Sequence, residues 1–159
     1  MERYDWGMPL FEAGWDTFMR SSSRASVGLS MGRCVRVRML LAGRAPGRHG
    51  DVAKLVAPDL KALCRIPSLQ THVCAMRARL AFLHGDRASA IELVQLAIQH
   101  APTCLMADVD VHRHALGLLR ADAEGERLCI DSERALCDAG VVDPLAYVRS
   151  FYPELFTRS

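Results

Sequence analysis

The chain has 159 residues, enough for one domain whose core needs no crosslinks. Twenty basic against eighteen acidic residues leave a formal charge of +2, which gives no electrostatic case for nucleic acid. No apolar run approaches the roughly twenty residues of a membrane span, and six cysteines scattered with no CxxC pair and no regular spacing read as reduced thiols in helix packing rather than a secreted disulfide framework. A reduced, cytoplasmic protein is expected. Half the residues are apolar and aromatics are few, while Ala, Leu and Arg abound, a balance that favours helix. Charge is unevenly placed. Residues 1–80 carry thirteen Lys/Arg and six Asp/Glu, and residues 81–159 carry seven and twelve. The halves therefore differ in sign, +7 against −5, which suits head-to-tail association into a homo-oligomer or simply two solvated surfaces.

Residues 1–26 read as a lead-in, with a short helix over Leu10–Arg20 followed by the Ser21-Ser22-Ser23 break. Residues 27–159 read as one helical domain. Val27–Leu41 forms a long helix despite Gly28 and Gly32, and Ala42–Gly50, with Pro46 and several glycines, is a loop. Asp51–Arg65 is helical with Pro58 inside it, so either the helix kinks or Pro58 occupies the first turn of a shorter one. Ser68 is placed to cap the next helix. Val73, Met76, Leu80 and Leu83 then set an apolar stripe at steps of three and four. After the break at Gly85-Asp86, Ala90, Val94, Ala97 and Ala101 set a second. Pro102-Thr103 opens a helix running to Arg120, with Leu105, Val109, His112, Leu116 and Leu119 on its stripe. Asp122 caps a further helix that Gly140 closes, and Asp143-Pro144 starts the last. No strand pattern competes, so the expected class is all-α.

An internal repeat organises these helices. Gly50-Asp51 recurs 35 residues later as Gly85-Asp86, Ala62 recurs as Ala97, and Pro67 as Pro102. The interval is close to the period of about 34 residues of tetratricopeptide (TPR) repeats, helix–turn–helix units that bury their faces by stacking. GDRASAIELVQLAIQHAP resembles the second half of a TPR unit through its small residues Ala90 and Ala97 and its closing Pro102. The preceding helix departs from the motif at Cys74, Arg77 and Ala81. The resemblance implies antiparallel hairpins stacked into a short right-handed solenoid of about six or seven helices. Over residues 30–156, the order MRARLAFLHGD, GVVDP at 140–144 and the aromatic–proline segment Phe151–Phe156 is similar to the C-terminal helical arrays of some bacterial serine/threonine protein kinases. No glycine-rich loop, VAIK lysine, HRD or DFG is present, so the resemblance implies an accessory module without the catalytic domain.

Candidate chemistry is sparse. Gly28-Leu29-Ser30-Met31-Gly32 fits G-x-S-x-G, which would make Ser30 the nucleophile of a serine hydrolase. The serine-rich stretch before it makes a poor buried strand, and no sheet follows to hold the elbow. The match reads as chance. Cys104, Asp108 and His112 stand at i, i+4 and i+8, with Asp110 and His114 beside them, a spacing able to aim ligands at one metal. His112 shares the stripe of Val109 and Leu116, so a buried histidine bonded to a neighbouring helix explains it as well. Neither a metal, a cofactor nor a catalytic residue is expected.

A groove is the more natural functional surface. The first helix of each TPR unit lines a concave face that receives a partner's peptide or helix, and the resemblance carries that face onto His72, Ala75, Arg79, Phe82 and Leu83. Arg36 and Arg38 lie on the preceding long helix. Arg36 and Arg79 suit bidentate binding of a carboxylate or phosphate, and Phe82 an apolar anchor. The expected function is a non-catalytic protein–protein interaction or regulatory module, with a protein or peptide as partner and neither nucleic acid nor membrane.

Overall fold

A computed structural model describes residues 13–15, 17, 26–42, 50–101 and 106–156. Among them there is helix and turn but no strand. From Ser26 onward the described residues form seven α-helices: α1 (Ser26–Ala42), α2 (Gly50–Leu63), α3 (Gln70–Leu83), α4 (Arg87–His100), α5 (Met106–Arg120), α6 (Ala123–Asp138) and α7 (Pro144–Phe151). Short 3-10 turns at Pro67–Leu69 and Pro153–Phe156 precede α3 and follow α7. No helix among the described residues is long and apolar enough to cross a membrane.

The boundaries follow local chemistry. Asp86, Asp122 and Asp143 each cap a helix, accepting from the backbone N–H of Ser89, Gly125 and Ala146 at 3.0, 2.7 and 2.9 Å. Gly85 and Gly140 take φ of +80° and +89°, the left-handed geometry that ends a helix cheaply only without a Cβ. Pro144 sits in the first turn of α7, where its missing N–H costs nothing. Pro58 lies inside α2, which runs through it, so the shorter-helix alternative does not hold. Ser68 is not the cap of α3. It lies in the 3-10 turn, Leu69 takes the cap position without a side-chain bond, and the Gln70 amide instead ties the turn to the Cys64 and Ile66 carbonyls. Most of the Leu10–Arg20 helix, the loop over 43–49 and the Pro102-Thr103 helix start lie outside the described residues. Residues 13–15 and 17 are helical.

Consecutive helices pack against one another, α3 with α4 and α5 with α6 most extensively, followed by α4 with α5 and α1 with α2. Two apolar clusters result. One joins Val37, Leu41, Val52, Val56 and Leu63 to Val73, Met76 and Leu83 of α3. The other joins Cys74, Ala75 and Ala78 of α3 to Val94 and Ala97 of α4, Val111 and Ala115 of α5, Leu136 of α6, Val148 of α7 and Tyr152. Helix α3 is therefore buried on both sides, between the N-terminal pair and everything that follows.

The α5–α6 contact depends on two glycines. A Cβ on Gly117 would sit 2.5 Å from the Gly125 carbonyl oxygen, and one on Gly125 would sit 2.5 Å from that of Gly117. Backbones approach this closely only where both side chains are absent. Helix α5 then ends at Ala121 with φ of 54°, a conformation an L-side chain adopts at a cost.

Candidate functional site

Helices α1 and α3 present matching faces. On α3, His72, Ala75, Met76 and Arg79 fall at i, i+3, i+4 and i+7, one side of the helix. On α1, Met31, Cys34, Val35 and Arg38 repeat the same spacing. Together they wall a cavity of about 60 Å³, completed by His112 of α5 and by Phe151 and Tyr152 at the end of α7. Met31 and Val35 are 48% and 43% exposed, which puts the mouth on their side. A larger furrow of about 790 Å³ runs between α2, α3 and α4, but the charged side chains lining it, Lys61, Arg77 and Glu92, are exposed. Of the two, the smaller brings buried charge to an apolar recess.

Its floor is fixed by side chains from the two halves of the chain. Arg79 Nε donates to Glu154 Oε1 at 2.7 Å, an ion pair in which both side chains are almost wholly buried. The Tyr152 hydroxyl lies 2.7 Å from His112 Nδ1, and the two rings meet edge to face at 5.8 Å. Two buried nitrogens are left over: Arg79 Nη2 and His112 Nε2 have no hydrogen-bond partner. At the wall, Arg38 donates to the Ser150 carbonyl at 3.2 Å and lies 4.4 Å over the Phe151 ring.

Burial dominates the electrostatics. It pulls the His112 pKa down to about 4, with His72 and Arg38 pushing the same way. His112 is therefore a neutral imidazole near pH 7. His72 is lowered too, by burial and by Arg38, against the opposing charge of Asp108. The Arg38 guanidinium is lowered by burial and by its neighbour Arg79, although arginine stays charged in proteins. The Tyr152 phenol is raised, chiefly by burial, and remains protonated.

Of the groove residues expected from sequence, His72, Ala75 and Arg79 line this cavity, together with Arg38 of the preceding long helix. Arg36 turns away: it donates to Asp59 Oδ2 at 2.6 Å and lies 5.5 Å over the Trp15 ring, while Arg33 holds the other Asp59 oxygen at 2.8 Å. Two residues along a helix rotate a side chain by about 200°, so Arg36 and Arg38 cannot share a face. Phe82 is half-buried against the second cluster, and Leu83 is 1% exposed in the first, so both pack in cores. Tyr152, Glu154 and, on α1, Met31, Cys34 and Val35 were not placed at the groove from sequence, whereas Arg38 was named beside it. The i, i+3, i+4, i+7 match between residues 31–38 and 72–79 is the signal that would have found the α1 residues.

The other sequence candidates have structural roles. Ser30 lies within α1, not on a strand-to-helix turn. His114 Nε2 is 2.9 Å from Glu133 and its ring stacks on Phe156, while Asp110 pairs with Arg113 at 3.0 Å. Cys104 lies outside the described residues, and no group of three or more potential metal ligands occurs among them. No protein-family model, no curated protein and no solved structure matches the chain.

Proposed function

We propose that the chain is a non-catalytic interaction module of TPR-like type, receiving a protein or peptide partner on the face formed by α1, α3, α5 and α7. One observation carries this reading. The cavity is walled by these alternate helices and by none of α2, α4 or α6, the arrangement expected when the first helices of stacked hairpins share one surface. The resemblance of residues 30–156 to helical arrays that follow bacterial serine/threonine kinase domains points to a partner within kinase signalling.

The test places a photocrosslinking side chain at Val35, on the exposed rim, and compares capture with Met31→Asp. A charge at the rim is expected to lower capture at least about tenfold, while Ile130→Asp, 52% exposed on α6, leaves it unchanged. Equal loss from both variants, or from neither, overturns the reading.

A further inference from the structure

Two buried nitrogens on the cavity floor, Arg79 Nη2 and His112 Nε2, lack hydrogen-bond partners. Tyr152 is buried, and among the described residues its hydroxyl meets His112 Nδ1. A buried phenol proton must be spent on an acceptor, so Tyr152 donates and Nδ1 accepts. The neutral ring then carries its proton on Nε2, the buried nitrogen without a partner. Arg79 Nη2 is likewise a donor without an acceptor. The Arg79 charge is already met by Glu154. Arg38 is held by a carbonyl and a ring, with Asp108 acting on it only through space. What is missing is a small acceptor bearing negative charge.

Size and lining narrow its class. A cavity of about 60 Å³ is several times the roughly 10–15 Å³ that one water needs. It has room for a ligand of several heavy atoms. Met31, Cys34, Val35, Ala75, Met76 and Phe151 make the remaining wall mostly apolar. Such walls do not replace the hydration of a phosphate dianion. A carboxylate on a one- or two-carbon stem fits both parts: oxygens toward Arg79 Nη2 and His112 Nε2, methylene toward the wall.

We infer that this cavity is a binding site for a single carboxylate on a short aliphatic stem. The same chemistry is available as free acetate or propionate and as an Asp or Glu side chain of a partner. The inference deepens the interaction reading and rests on it for the face a partner uses. The two fail separately, because rim capture requires no carboxylate.

The experiment titrates the full chain at fixed ionic strength, replacing chloride by propionate, and follows backbone amide shifts of α3 by NMR. Propionamide and an Ala75→Val variant, which fills the cavity, are the controls. A second arm uses a capped pentapeptide with one central Asp and its Asn counterpart. Saturable shifts with propionate at about millimolar half-saturation, absent with propionamide and lost in Ala75→Val, identify a free acid as ligand. Saturation with the Asp peptide alone, and not the Asn peptide, identifies a partner's side chain. Linear, unsaturated shifts in both arms, or shifts that persist in Ala75→Val, overturn the inference and leave ordered water bridging the two nitrogens. Should Ala75→Val misfold, the long-range proton–nitrogen spectrum of wild-type His112 decides independently: a proton on Nε2 is expected, and one on Nδ1 removes the donor on which the inference rests and overturns it.

Discussion

Arg79 and Glu154 are 75 positions apart in sequence and 2.7 Å apart in space, their side chains 2% and 1% exposed. Removing one partner of such a pair strands the other charge, whereas replacing both with apolar groups is often close to neutral. Glu154→Gln should cost roughly 3–5 kcal/mol of unfolding free energy. The double variant Arg79→Met/Glu154→Leu should lose less than either single change. A urea-denaturation double-mutant cycle measures this, and strictly additive losses would show the pair to be uncoupled.

Two substitutions one turn apart should act in opposite directions. Gly117→Ala improves intrinsic helix propensity by about 1 kcal/mol, yet its methyl would lie 2.5 Å from the Gly125 carbonyl oxygen and 2.6 Å from Cys129 Sγ. The clash prevails, and a net loss of about 2 kcal/mol is expected because α5 and α6 must separate. Ala121→Gly relieves a φ of 54° and should gain about 1 kcal/mol. Thermal unfolding of the two variants should bracket the wild type, and the reverse order would contradict the packing described.

Acid should weaken the fold through His112. Its pKa falls from 6.5 to about 4 on folding, principally by burial. The unfolded chain therefore binds more protons at intermediate pH, and stability rises with pH across that interval. The contribution is complete above pH 6.5 and is lost as pH falls toward about 4, on the order of 3 kcal/mol in all. His72 shifts the same way and adds to the slope. His112→Phe should flatten the curve between pH 4 and 6.5 in denaturant titrations, and an unchanged slope would place the titration elsewhere.

The helical class, the caps Asp122 and Asp143 and the break at Gly85-Asp86 were legible because each is a local signal. Periodicity, a short polar side chain before an apolar run, and a glycine at positive φ need no knowledge of the partner helix. The site was half legible. His72 and Arg79 stood on one face by spacing alone, but their setting depended on Tyr152 and Glu154, about 75 to 80 positions distant. A buried acid in Tyr152-Pro153-Glu154-Leu155 looks the same in sequence as a solvated one. Arg36 failed for a related reason: its destination was set by Asp59 on the adjacent helix, which the sequence does not pair with it. Phe82 and Leu83 failed because α3 is apolar around most of its circumference, so no face of it is marked as open.

Helix α3 belongs to both apolar clusters, and from Gln70 to Leu83 only Arg77 is exposed. Mutational tolerance should follow from that geometry. A saturation scan ought to find a single permissive position, Arg77, in a segment where a one-sided helix would offer about half its sites. A one-residue insertion there would be worse than any substitution. It turns every later side chain by about 100°, taking Arg79 from Glu154 and Leu83 from its core in a single step.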